Sequence, residues 1–180
     1  MDKLFKGDIE RLRSPERIAR LEVERVVELS LEKLYVTKVL DIGSGTGLFS
    51  EAFALRRLNT TGIDINPAMI TAATELVEDA KFRCAAAESL PFPDKSFDLV
   101  FMGHILHESP TPVQVLQEAR RVAKYRIAVL EWPYRAEEVG PPLEHRITPE
   151  AVKKASHKAG CIQFEKQELE HMTFYRMTPK

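Results

Sequence analysis

Cysteine is scarce in this sequence. Its 180 residues hold two, Cys84 and Cys161, and neither lies in a CxxC pair. A disulfide scaffold and a cysteine-clustered soft-metal site are therefore excluded. Charge of one sign is also lacking, since 26 Lys and Arg oppose 27 Asp and Glu for a net −1. That removes the electrostatic argument for sequence-independent nucleic-acid binding, so no nucleic-acid partner is expected. Long hydrophobic runs are absent: the stretches around Leu99–Leu106 and Ile127–Leu130 fall far short of the ~20 residues a membrane span needs. The charged opening MDKLFKGDIERLR has no apolar segment of signal-peptide type. His104, His107 and Glu108 read HxxHE, which is not the HExxH spacing of a zinc helix, and no metal is expected. No internal repeat or low-complexity segment occurs. The expectation is a soluble, cytoplasmic protein without a membrane span.

What is present is an ordinary globular composition, 44% hydrophobic and 29% charged. The length predicts one domain over 1–180, with a helical cap over 1–35 and a core over 36–180. Residues 1–13 read as a loop or short helix. Ser14-Pro15 then caps and opens a helix to about Leu34, with Ala19, Val23, Val26, Val27, Ser30 and Leu34 on one face. Short β-rich runs follow at Val36–Ile42, Thr60–Ile65, Lys81–Ala85, Phe97–Met102 and Tyr125–Glu131. Helical patterns separate them at Leu48–Arg57, Asn66–Val77 and Thr111–Val122. Thr148-Pro149 starts a further helix ending near Gly160, and runs at Ile162–Glu168 and His171–Met177 close the chain. The alternation predicts an α/β fold: a Rossmann-like doubly wound sheet, mainly parallel, with helices on both faces.

The first strand runs into Gly43-Ser44-Gly45-Thr46-Gly47. Glycines at alternate positions let the backbone approach a ligand closely, and the helix beginning near Thr46 offers free N–H groups to an anion. A P-loop would need Lys after its last glycine, and a dinucleotide fingerprint would place the third glycine one position later. Asp41, two residues before the first glycine, would repel a pyrophosphate but attract an ammonium. Asp64, about twenty residues beyond Gly43 at the end of the second strand, suits the two hydroxyls of a ribose. The ligand should carry an amino group, a carboxylate and an unphosphorylated ribose. S-adenosylmethionine carries all three.

The stretches VLDIGSGTGLFS, GIDINPAMI and AAAESLPFPDKSFDLVFMGHILHE resemble the class I S-adenosylmethionine-dependent methyltransferases over roughly residues 36–131. They are most similar to the small-molecule group that includes the ubiquinone and menaquinone methylases. The resemblance implies a C-terminal antiparallel hairpin in the sheet. It also implies that Asp41, Gly43, Ser44, Gly45, Thr46 and Gly47 hold the methionine part of the cofactor. Asp64 would bind the ribose and Ile65 would lie beside the adenine, with Ala86, Ala87, Glu88 and Gly103 completing the set. Relatives carry Asp where this chain has Ala86, which removes one hydrogen bond to the adenine, worth about 0.5–1.5 kcal/mol. Before the fifth strand, Ala123-Lys124-Tyr125 replaces a common Pro-Gly-Gly turn.

The sulfonium is itself a strong electrophile, so the protein chiefly aligns a nucleophile. His107, after the fourth strand, is the candidate general base, oriented by Glu108 or another acid. His104 is expected to pack near the cofactor. The loop 132–147 is the expected lid over the acceptor, with Trp132, Tyr134 and His145 lining a pocket and Glu131 at the strand end. The reading is a methyltransferase acting on a small-molecule acceptor and releasing S-adenosylhomocysteine. A non-catalytic S-adenosylmethionine-binding protein and a Rossmann-type oxidoreductase are the alternatives.

Overall fold

The computed structural model describes residues 9–180. Most of the expectation for residues 1–13 lies outside the described residues, which begin with a short helix α1 (Ile9–Leu12). Next come α2 (Pro15–Arg20) and α3 (Val23–Leu31). The core runs β1 (Lys38–Ile42), α4 (Leu48–Ala54), β2 (Asn59–Asp64), α5 (Pro67–Leu76), β3 (Ala80–Cys84), β4 (Phe97–Gly103), α6 (Pro112–Val122) and β5 (Ala123–Glu131). It ends with α7 (Pro149–Lys158), β6 (Cys161–Glu168) and β7 (Thr173–Pro179).

Seven strands form one sheet in the order β3-β2-β1-β4-β5-β7-β6. The first five are parallel, while β7 runs antiparallel to both β5 and β6. The doubly wound, mainly parallel sheet and its C-terminal hairpin are as expected. The strand order reverses between β1 and β4, so the crevice beyond their carboxyl ends is where such a sheet binds ligands.

Alternate residues of the central strands face opposite layers. Leu40, Ile42, Val100, Met102, Ile127 and Val129 share a buried cluster with Val115, Leu116 and Ala119 of α6 and Val152 of α7. Val39, Leu99, Phe101, Ala128 and Leu130 share the other with Val26 and Val27 of α3 and Phe49 and Phe53 of α4. Because both faces are covered, the middles of β4 (Leu99–Met102) and β5 (Ile127–Leu130) read as continuous apolar runs. The exposed edge strand β6 is blunted by Glu165, Lys166 and Glu168 and by an irregularity between Ile162 and Glu165.

Predicted caps are present. Asn66 Oδ1 accepts from the Ala68 N–H at 3.0 Å, and Thr148 Oγ1 accepts from the Ala151 N–H at 3.0 Å. One helix differs from expectation. The single helix from Pro15 to Leu34 is broken at Glu22, which adopts a left-handed conformation (φ 48°). The break lets Leu21 and Val23 both bury, while Ala19, assigned to the apolar face, is exposed. Packing of α3 on the sheet outweighs the continuity of its helical pattern.

Candidate active site

The glycine turn leaves β1 at the switch point. Gly43, Gly45 and Gly47 have φ of 71°, 53° and 80°, a region that side chains other than glycine's rarely enter. The turn is tied down by the Ser44 N–H donating to Ile63 O at 2.8 Å and the Gly47 N–H donating to Ser44 O at 2.8 Å. A Cβ on Gly43 would lie 1.9 Å from Ile105 Cδ1, so the segment after β4 rests directly on the turn. A Cβ on Gly45 would meet nothing within 4 Å. Gly45 is thus the open point of the cradle.

Asp64 closes one side. Its Oδ2 accepts from the Gly45 N–H and its Oδ1 from the Asn66 N–H, both at 2.9 Å. Each oxygen keeps a further lone pair, which a diol can use. Burial raises the Asp64 pKa, against the lowering effect of these backbone donors. Asp41 is buried beneath the turn, its Oδ2 accepting from Ser50 Oγ at 2.6 Å. Burial pushes its pKa up to about 7. Ser44 Oγ is buried without a partner among the described residues. A ribose carried beside an amino acid fits this donor set. Ile65 stands at the lip of β2, 55% exposed. Ala86 and Ala87 are half-buried in the loop after β3, and Glu88 Oε1 accepts from Ser109 Oγ at 3.2 Å. Gly103 ends β4 against Phe101 and Phe49.

His107 follows β4, and the acid that orients it is Glu131 at the end of β5. His107 Nδ1 lies 2.7 Å from Glu131 Oε2, whereas Glu108 Oε1 is 3.8 Å from Nε2. Glu131 is fully buried, and its Oε1 accepts from the Leu106 N–H at 2.8 Å and the His107 N–H at 3.3 Å. The carboxylate draws the proton to Nδ1, leaving Nε2 as the acceptor nitrogen. Burial opposes the charged imidazole, but the Glu131 hydrogen bond and the charges of Glu131 and Glu108 raise its pKa above the ordinary value.

The loop over 132–147 is held by a residue the sequence did not single out. Arg146, buried, donates to the carbonyls of Pro141, Pro133, Arg135 and Val139 at 2.9–3.0 Å. Its guanidinium lies 5.5 Å from the Trp132 ring centroid. Trp132 is buried and packs on His104, centroids 5.2 Å apart, whereas Tyr134 and His145 lie exposed along the loop. A separate hollow of about 380 Å³, lined by Tyr35, Asp98 and Tyr125, sits at the opposite strand ends. Among the described residues no group of three potential metal ligands occurs, and no helix is long and apolar enough to cross a membrane.

Fold and cradle together define a Rossmann-like α/β architecture with a ligand crevice at the switch point. Residues 40–126 match the family model described as a methyltransferase domain. A demethylmenaquinone methyltransferase of Thermotoga maritima is 38% identical over 114 residues, 60% of this chain and 48% of that protein. A phosphatidylethanolamine N-methyltransferase of Cereibacter sphaeroides is 33% identical over 110 residues, 58% of this chain and 54% of that protein. The chain thus spans about half the length of these relatives. A crystal structure of an S-adenosylmethionine-dependent methyltransferase from Aquifex aeolicus shares the fold with a TM-score of 0.87 at 23% identity, covering 97% of this chain and all of that one. Over residues 40–126 the chain is thus similar to methyltransferase domains, and its fold is the one seen in the Aquifex aeolicus structure.

Proposed function

We propose that the chain transfers a methyl group to a small-molecule acceptor, with His107 taking the acceptor's proton. The carrying observation is the adjacency, at the switch point, of the glycine cradle backed by Asp64 and an imidazole backed by a buried carboxylate. S-adenosylmethionine, when bound, supplies the electrophilic methyl group. The residues Gly43, Ser44, Gly45, Thr46 and Gly47 hold its methionine end, with Asp41 facing the ammonium. Asp64 takes the ribose, Ile65, Ala86, Ala87 and Glu88 border the adenine, and Gly103 keeps the strand end low. Glu131 holds the His107 ring with Nε2 free to receive a proton from an O–H or N–H acceptor. The proposed setting is cytoplasmic, with no nucleic-acid partner, and the Trp132 wall borders the acceptor.

Thermal unfolding with S-adenosylhomocysteine and with NAD separates the readings. At 100 times its Kd a ligand adds about 2.7 kcal/mol, a Tm rise of roughly 5–10 °C for a chain of this size. S-adenosylhomocysteine is expected to give it, and stabilisation by NAD alone would establish the oxidoreductase instead. Ala86, at the adenine-binding position, is the observation that favours a non-catalytic binder. Against that reading, a panel of small hydroxylated and amino acceptors is expected to show turnover that His107→Gln lowers at least tenfold at unchanged S-adenosylhomocysteine affinity.

A further inference from the structure

Ala123-Lys124-Tyr125 stands where a Pro-Gly-Gly turn is common, and methyl transfer makes no use of it. In the structure its Tyr125 lines the hollow of about 380 Å³ at the amino ends of β1, β4 and β5, together with Leu34, Tyr35, Thr37 and Asp98. Small-molecule sites run from about 300 to 1,000 Å³, so the space admits a ring and one substituent. Two large aromatic side chains stand open there, Tyr35 at 86% exposure and Tyr125 at 50%. Among the described residues no other ring packs on either.

The turn that carries Tyr35 is pinned at both ends. Before it, Arg126 Nη1 donates to Ser30 O at 3.0 Å and to Glu32 O at 2.8 Å. After it, the Thr37 N–H and Thr37 Oγ1 donate to Asp98 Oδ2 at 2.9 and 2.7 Å, and the Asn59 N–H donates to Thr37 O at 2.9 Å. Tyr35 is thus an exposed ring on a fixed support. At the floor, Asp98 Oδ1 accepts from Lys124 Nζ at 3.1 Å, so the two charges balance and the lysine is held at the hollow. An ammonium has three N–H donors, and Asp98 takes one of those on Lys124. Lys38 precedes Val39, the register partner of Leu99, and so stands beside Asp98 in the sheet. No acid other than Asp98 lines the hollow, and Glu32 on the neighbouring turn is spent on Arg176. The surplus charge is positive.

We infer that this hollow is a second ligand site, and that it takes a flat aromatic ring bearing a carboxylate or a phosphate. The tyrosines offer faces on which such a ring stacks. Lys124 and Lys38 meet the anion, which Lys124 can bind without leaving Asp98. An aromatic cation would find the same ring faces, but it would oppose both lysines and reach Asp98 only by displacing Lys124. A small anion without a ring would leave the tyrosines unused. The site lies at the opposite strand ends from the glycine cradle, so it does not depend on the methyl-transfer reading.

2-Naphthoate, 2-naphthyl phosphate, 2-naphthylmethylamine and acetate are titrated with the protein, and binding is read from the line broadening of each probe's own protons. The two naphthyl anions are expected to bind at least tenfold more tightly than the amine or acetate, and the tighter of the two identifies the anion. Saturation with S-adenosylhomocysteine should leave their Kd within twofold. Tyr35→Ala touches no core and should weaken them at least fivefold, while Tyr35→Phe stays within twofold. Lys124→Gln, which keeps a donor for Asp98, should also weaken them at least fivefold, and Lys124→Arg should stay within threefold. No binding of either naphthyl anion, equal binding of the amine or acetate, or unchanged binding in Tyr35→Ala or Lys124→Gln would overturn the inference. Competition with S-adenosylhomocysteine would overturn it as well, by moving the probe to the cofactor crevice, and would leave the methyl-transfer reading standing.

Discussion

Gly43 and Gly45 are two residues apart and answer to different constraints. Gly43→Ala would place a Cβ 1.9 Å from Ile105 Cδ1 at φ +71°, so the segment carrying His104 and His107 must shift. The left-handed backbone alone costs about 1–2 kcal/mol, and the displaced Ile105 brings the expected loss to about 3 kcal/mol. Gly45→Ala meets open space and should cost only about 1 kcal/mol in stability. Yet it should weaken S-adenosylhomocysteine at least tenfold, because its methyl group fills the open point of the cradle. Urea unfolding and calorimetry check the pair; full affinity in Gly45→Ala would remove the cradle assignment. Asp41 makes a second prediction at this scale. With its pKa raised to about 7 by burial, much of it is protonated at neutral pH. An ammonium beside it favours the carboxylate, so binding should release a proton and tighten between pH 6 and 8. Asp41→Asn should bind more weakly and with a flat pH profile, and a wild-type profile equally flat would detach Asp41 from the cofactor. The glycines and Asp64 were legible in the sequence because positive φ and a strand-end acid leave a local signature. The Glu131 partner of His107 was not, because the pairing joins two strand ends that only the sheet brings together.

Elements in this protein are shaped by what they pack against as much as by their own pattern. The segment over 132–147, expected as a lid, has its backbone gathered around one buried side chain. Arg146 holds four of its carbonyls and stacks on Trp132. No local pattern announces such a residue, since its partners are backbone atoms whose positions the loop itself creates. Removing it leaves those carbonyls without their charged donor, and hydrogen bonds to charged groups are worth about 1.5–3 kcal/mol each, though not additively. Arg146→Met should therefore destabilise the protein by about 3 kcal/mol or more and shift the Trp132 emission to the red. Arg146→Lys, which lacks the planar fork, should recover only part of either effect. An unshifted emission in Arg146→Met would mean the loop keeps its shape without the arginine. The break between α2 and α3 was illegible for a related reason. Leu21 and Val23 can both bury only if the helix turns at Glu22, and that demand comes from the sheet beneath.

For the whole molecule, the alternation of strands and helices made the architecture readable, since a parallel pair needs a crossover and a crossover has one hand. What the alternation did not reveal is how the two ends of the sheet are held by charge. At the end opposite the cradle, Asp98 Oδ2 accepts from the Thr37 N–H, Thr37 Oγ1 and the Lys38 N–H, while Lys124 Nζ is 3.1 Å from its Oδ1. It thereby joins the starts of β1, β4 and β5. Burial alone would raise its pKa, but those donors hold it at about 2. At the cradle end, Asp41 is raised to about 7 and His107 lies above its ordinary 6.5. The signs differ, so stability should respond to pH in three separable windows. A depressed acid stabilises the fold above its unfolded pKa, so the stability lost in Asp98→Asn should be full above about pH 4 and vanish as pH falls toward 2. A raised histidine stabilises the fold below its unfolded pKa, so the stability lost in His107→Gln should be full below pH 6.5 and shrink as pH rises through the folded value. A raised acid loses stability as it ionises, so Asp41→Asn should gain on wild type from about pH 4 up to about 7 and run parallel beyond. Thermal unfolding of the four proteins from pH 2 to 9 measures all three differences. If they stay constant across that range, the fold does not hold these groups in the charge states the geometry implies, and the buried ends of the sheet must be relaxed in solution.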